Sequence, residues 1–221
     1  LEGFFKQYYD IPVSVLTGVP LTCLGADYGS IGEEDLTASG TGRSYGVELM
    51  GRWIIPDKLN IVGSVTLYKS EFRNGRGNEY IPSSWDNRFI VNLSGVYDLP
   101  KNWSIGAKLS AIGGAPYTPY DMEESSRKVV WDAGGKPVYD YERYNQERLE
   151  PYMQLDIRVD KEFYFKKWTL SLYVDLENVT FSRIRQPDAL LSTGIIEDTS
   201  LDGIYQKYRM ELLELWSGTL V

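Results

Sequence analysis

The stretch FIVNLSGVYDLPKNWSIGAKLS, running from Phe89 to Ser110, alternates between apolar and polar residues, turns over on Leu99-Pro100-Lys101-Asn102, and alternates again. Phe89, Val91, Leu93, Gly95, Tyr97 and Leu99 fall on one face against Asn92, Ser94 and Asp98. Beyond the turn, Ile105, Ala107, Leu109 and Ala111 stand against Lys108 and Ser110. A period of two is the mark of a two-faced strand, so the stretch predicts an antiparallel hairpin. Whether its apolar face meets a protein core or lipid decides the fold.

The same period recurs along the chain. Arg43 to Ile55 sets Tyr45, Val47, Leu49, Gly51, Trp53 and Ile55 against Ser44, Gly46, Glu48, Met50 and Arg52. Ile61 to Leu67, Met153 to Phe165 and Trp168 to Leu176 repeat it, and EGFFKQYYDIPVSV at the start reads as a further, weaker strand. GIYQKYRMELLELWSGTLV at the end fits helix and strand spacing equally. The expected total is seven or eight strands.

Three features favour lipid. The runs span roughly ten residues or more, against the five or six usual in soluble domains. Ten residues at ~3.3 Å each and a ~45° tilt rise roughly 23 Å, close to the ~25 Å apolar band of an outer-membrane barrel. Short turns at IPDKLN, DLPKNW and YFKKW alternate with long connections after Leu67, Ile112 and Ser182. In an up-and-down sheet this puts the turns at one rim and the loops at the other, as in outer-membrane barrels. Trp53, Tyr97, Trp103, Phe165 and Trp168 all lie beside the short turns, where such a barrel carries an aromatic girdle. The fold expected is all-β: a segment of an antiparallel up-and-down transmembrane β-barrel.

Composition removes several chemistries. The 221 residues carry 31 acidic against 23 basic side chains, with no basic run, which speaks against nucleic-acid binding. Histidine is absent, excluding Ser-His-Asp, Cys-His and His-ligated metal sites. Cys23 has no partner for an intrachain disulfide and reads as an inert thiol. No run of about 18 apolar residues predicts a transmembrane helix, a test that barrels pass unseen. Nucleophile motifs and phosphate-cradling glycine loops are missing, and paired carboxylates for glycoside hydrolysis cannot be set across a cleft by sequence. The expectation is a protein that is not an enzyme and needs no cofactor.

GRSYGVEL (Gly42–Leu49), YIPSSWDNRFIVNLSG (Tyr80–Gly95), GGAPYTPYD (Gly113–Asp121) and LYVDLENVTF (Leu172–Phe181) occur in an order and spacing that resembles the TonB-dependent outer-membrane receptors. The likeness is to the branch that scavenges carbohydrates and peptides, often beside a surface lipoprotein. Such receptors have barrels of about 22 strands around a plug. The resemblance therefore implies that the chain matches the C-terminal third of one barrel domain. The plug, and the N-terminal box gripped by the inner-membrane coupling protein TonB, would precede Leu1, and the family's last strand would begin near Leu220 and Val221. It also implies energy-coupled import of an oligosaccharide, peptide or chelate across the bacterial outer membrane.

On that reading substrate contacts come from outer loops and the lumen: Trp85 and Asp86 in SSWDNR, Tyr117, Tyr120 and Asp121 in PYTPYD, and Trp131 in the longest loop. Aromatic faces stack on sugars or peptide groups, and carboxylates accept from hydroxyls and amides. The same residues also suit a purely structural role, prolines stiffening a turn that tyrosines cover. The acidic clusters DMEES and IIEDTSLDG lack calcium-loop spacing and read as solvated charge, so no metal site is expected. Gln154, Asp156, Arg158, Asp160 and Glu162 form a lumen-facing row expected to pair with neighbouring strands or with the plug. Two other classes remain open: a soluble β-sandwich module that binds glycans, which requires apolar side chains packed between two sheets, and a passive barrel pore lacking the plug.

Overall fold

The computed structural model describes residues 1–24, 35–74, 79–198 and 207–217. In chain order the strands are β1 (Glu2–Ser14), β2 (Leu36–Ile55), β3 (Leu59–Arg73), β4 (Ile81–Pro82), β5 (Phe89–Leu99), β6 (Trp103–Ile112), β7 (Pro116–Tyr117), β8 (Glu147–Arg148), β9 (Tyr152–Tyr164), β10 (Thr169–Leu176), β11 (Ile184–Arg185), β12 (Ala189–Asp198), β13 (Lys207–Leu213) and β14 (Trp216–Ser217). Two short helices, α1 (Met122–Ser126) and α2 (Lys128–Gly134), sit in the longest connection.

Seven long strands join one antiparallel sheet in the order β1-β2-β3-β5-β6-β9-β10, with β4 added to β3. Every neighbouring pair of long strands is a hairpin, so the sheet is up-and-down throughout. Turns after β2, β5 and β9 are tight. Lys101 and Asn102 both take left-handed backbone in the second of them, tolerated by Asn and costing Lys about 1–2 kcal/mol. In the third, Phe165 N–H donates to the Trp168 carbonyl at 2.9 Å, and the two rings stack with centroids 4.0 Å apart. The opposite rim carries the connections after β1, β3, β6 and β10.

Register aligns the alternation across strands. One face carries the row Gly51, Gly63, Leu93, Leu109, Leu155, and beside it Leu49, Val65, Val91, Ala111, Met153. The other carries Arg52, Val62, Ser94, Lys108, Asp156. Leu93 is 46% exposed and Leu172 53%, while Leu109 and Ile157 are half-buried by neighbours in the sheet. Among the described residues no second sheet covers this face. An uncovered apolar surface spread over seven strands is far larger than the few hundred Å² that a water-soluble monomer exposes. The β-sandwich alternative, which needs these side chains sealed between layers, does not fit this arrangement.

The turn rim is aromatic, as the sequence predicts: Trp53, Tyr97, Trp103, Phe165 and Trp168 are all exposed there. Lys161, on the apolar face at this rim, turns its ammonium to the Lys101 carbonyl and lies 5.3 Å from the Trp103 ring centroid. Its aliphatic stem covers lipid-side surface while the charge reaches polar groups.

Several elements differ from the sequence expectation. β2 and β3 run well past the alternating stretch, to the pair Thr41 and Arg73, because they keep pairing with each other after β5 has left β3 at Leu67. With β1, which pairs with β2 as far as Ser14 and Leu36, they rise past β5, β6 and β9 at the loop rim. The ambiguous last segment is strand over Lys207–Leu213, paired to β12. β12 lies inside what the sequence reads as plain loop. The expected final strand at Leu220 and Val221 lies outside the described residues.

Among the described residues, the fully buried apolar side chains avoid the middle of the sheet. They gather at the loop rim, where Val19, Cys23, Phe72 and Tyr144 form a cluster with Tyr8, Ile11, Leu24 and Ile81 against it. The first three outer connections thus share one small core.

Candidate functional site

The loop core is held by polar clamps between segments far apart in sequence. Asn145, in left-handed backbone and nearly buried, donates from Nδ2 to the Cys23 carbonyl at 2.8 Å and to the Pro82 carbonyl at 2.9 Å. Its backbone N–H donates to Thr118 Oγ1 at 3.1 Å. One side chain of the third loop therefore ties down the first and the second. Ser84 Oγ adds a donation to the Cys23 carbonyl at 2.6 Å.

Arg148 on β8 makes the second clamp. Its guanidinium pairs with the Asp86 carboxylate and also donates to the Asp86 carbonyl and, at 3.1 Å, to the Gly114 carbonyl. Ser70 N–H donates to the same carboxylate at 2.8 Å, and Asp86 is 0% exposed. The glycine pair in GGAPYTPYD is explained here. A Cβ at Gly113 would strike the Asn87 carbonyl and one at Gly114 the Leu149 carbonyl, so backbone from both neighbouring segments can approach only because these side chains are absent.

Around the clamps lie two clefts that share Tyr144. One, of about 350 Å³, is lined by Glu79, Tyr141, Tyr144, Glu142 and Gln146 among others. The second, of about 220 Å³, is lined by Tyr117, Thr118, Tyr139, Tyr144 and Asn145. Tyr141 stacks on Tyr144 with centroids 6.0 Å apart, and Tyr139 on Tyr120 at 5.1 Å. Burial raises the Tyr117 phenol above its ordinary value, and Glu147 and Asp188 add to this. The Asp140 carboxylate accepts from Arg143 Nε at 2.8 Å and from the Glu142 N–H at 3.1 Å, capping the short turn between Tyr141 and Tyr144. The Arg143 guanidinium holds that carboxyl below the usual range.

The residues singled out from sequence are not brought to one place. Trp85 is 74% exposed and borders a cleft with Tyr8, Phe72 and Ser83. Tyr117 faces the smaller tyrosine cleft, and Tyr120 supports it from behind through Tyr139. Asp86 is enclosed by its ion pair. Asp121 caps α1 by accepting from Glu124 N–H at 2.9 Å. Trp131 Nε1 donates to the Ser125 carbonyl at 2.6 Å, fixing α2 against α1. Tyr139, Tyr141, Tyr144, Asn145 and Arg148 are not singled out by sequence reasoning; the run VYDYERYNQER, with three tyrosines and two arginines around a turn, is the available signal.

On the polar face of the sheet, the row from Gln154 pairs with its neighbours. Arg158 meets Asp160 at 2.8 Å and Asp175 at 3.8 Å, Lys108 meets Asp156 at 4.0 Å, and Gln154 Nε2 donates to Asp156 at 2.7 Å. Asp156 also accepts from Asn178 N–H at 2.9 Å, closing the polar face where β10 ends. Among the described residues, no three Asp, Glu or Cys side chains gather to hold a metal. In DMEES, Asp121 caps and Glu124 pairs with Arg127 at 2.9 Å; the side chains of IIEDTSLDG lie outside the described residues.

An open up-and-down antiparallel sheet with one apolar face, one charged face and loops at a single rim defines a segment of an outer-membrane-type β-barrel. The model of the TonB dependent receptor-like β-barrel family matches residues 1–179, and the chain belongs to that family. Its members are transporters of the outer membrane of Gram-negative bacteria rather than enzymes, and they work with TonB. No curated protein sequence matches the chain.

Proposed function

We propose that this segment completes the barrel of an energy-coupled importer whose substrate is an oligosaccharide or peptide held first by the outer tyrosine platform. The carrying observation is the pair of adjoining clefts around Tyr144, walled by stacked tyrosines and bordered by Glu79, Glu142, Gln146 and Asn145. Aromatic faces suit sugar rings and peptide planes, and carboxylates and amides suit hydroxyl and N–H donors. Among the described residues no lysine or arginine lines either cleft, which favours a neutral or cationic substrate over an anionic chelate.

The remaining strands of the barrel, the plug and the TonB-coupling box would be supplied by further residues of the same polypeptide. Edge strands β1 and β10 support this, because unpaired edges in lipid cost several kcal/mol per backbone group. A surface lipoprotein over the loops would fit the same platform.

The test is binding of oligosaccharide and short-peptide panels to the intact receptor in detergent, with Tyr117→Ala and Tyr141→Ala beside the parent. A loss of about tenfold or more for each, as expected for a removed stacking partner with its buried area, supports the platform. Unchanged affinity in both variants, or preference for an anionic chelate, would refute it.

A further inference from the structure

The tall β2–β3 hairpin carries a basic cluster on its lipid side, just above the apolar band. Register places Arg43 beside Glu71 and Tyr45 beside Lys69, with Thr41 and Arg73 one step higher. All six lie on the same face as Val47 and Leu67, opposite Ser44, Ser70 and the buried Phe72. Glu71 is 2% exposed and is clasped by Arg43 Nε at 2.6 Å and Lys69 Nζ at 2.6 Å. Arg73 Nε donates to Thr41 Oγ1 at 3.0 Å. Both guanidinium groups sit over one ring, Arg43 at 4.1 Å and Arg73 at 4.9 Å from the Tyr80 centroid.

Arg43 and Lys69 thus share a single carboxylate while Arg73 is held by Thr41 and Tyr80, so all three cations have fixed partners rather than standing as loose surface charge. Directly below, Phe5, Tyr45, Val47 and Leu67 border an open apolar groove of about 620 Å³ that runs toward Gly3. Charge at the headgroup level over an apolar groove in the hydrocarbon is the pattern of an amphiphile with an anionic head.

We propose that this face binds a phosphate-bearing lipid of the outer leaflet, its headgroup on Arg43, Lys69 and Arg73 and an acyl chain along the groove. Guanidinium groups match phosphate oxygens with paired donors, and Lys69 adds a point charge. Net positive charge fixes the sign of the headgroup, and the groove beneath fixes the source as a lipid rather than a dissolved anion.

The intact receptor, inserted in nanodiscs and confirmed folded by heat-dependent gel migration, is exposed to phosphatidic acid, to diacylglycerol with the same chains, and to inorganic phosphate. Retained lipid is counted by native mass spectrometry. The parent protein keeps phosphatidic acid in preference to diacylglycerol, and Arg43→Gln with Lys69→Gln loses that preference by about tenfold, the worth of one charge-assisted contact. Glu71→Gln, which removes the competing carboxylate while keeping its shape, holds the phospholipid more tightly. Equal retention of the two lipids, an unaffected double variant, or displacement of the lipid by inorganic phosphate overturns the proposal. Correct folding with failed retention leaves the importer reading intact, so the two fail separately.

Discussion

Arg148 and Asp86 lie far apart in the chain, yet the guanidinium closes on a carboxylate with no exposure to solvent, locking the second outer loop to the third. Removing one partner strands the other charge, at about 3–5 kcal/mol for a buried pair. Arg148→Met is therefore expected to speed amide hydrogen exchange over residues 79–88 and 113–121 by about a hundredfold or more. Adding Asp86→Asn to it recovers most of the protection. Single-variant exchange rates equal to those of the parent would show that the pair holds nothing.

The orientation of the sheet is open to a matched pair of substitutions. Leu93 and Ser94 are neighbours on β5 but face opposite ways, Leu93 beside Leu109 and Ser94 beside Lys108. Leu93→Arg should cost about 2–4 kcal/mol of folding into vesicles by the intact receptor, as an arginine at mid-membrane does. Ser94→Arg, in the hydrated interior, should cost much less. Equal penalties in a denaturant titration would mean that the apolar face is not against lipid.

Burial pushes the Cys23 thiol up to about 12, so its neutral form is the one the loop core stabilises. That contribution is complete below the ordinary cysteine range and is lost as the pH rises through about 12. Alkylation of Cys23 at pH 8 should accordingly be slow in the native receptor. Asn145→Ala, which removes the donor shared by the carbonyls of Cys23 and Pro82, should accelerate it severalfold, by loosening the cover rather than changing the thiol. Rapid alkylation of the unaltered protein contradicts this.

Asp140 gives the tyrosine turn an acid limit. Its carboxyl lies below the ordinary value because of Arg143, so the stabilisation it lends is present above that ordinary value, about 3.9, and is lost as pH falls through the lowered one. Substrate affinity at the Tyr141 cleft should hold from neutral pH down to about 5 and decline only in stronger acid. Asp140→Asn should weaken binding at neutral pH while removing that acid decline. A decline that persists in this variant would assign the acid limit to another group.

Strands, turns and facing were readable from the sequence because each depends on residues one or two positions apart. The alternation through Phe89–Leu99 and Trp103–Ile112 gives both the hairpin and its register, and the girdle at Trp53, Trp103 and Trp168 follows from the turns. The site was much less so. Asp86 looks like a substrate carboxylate beside an exposed tryptophan, and only the distant Arg148 makes it a buried anchor. Tyr117 and Tyr141 meet around Tyr144 because Asn145 reaches two other loops, a relation with no periodic trace. The sequence of β12 reads as loop because its partner β13 is what makes it a strand.

A core placed at the loops rather than in the sheet has one mechanical result. The first three outward segments, pinned at Cys23, Pro82, Asp86 and Thr118, are tied into one unit instead of standing as independent fingers. A load on any one of these segments would therefore bear on the ends of β1, β3 and β6 together.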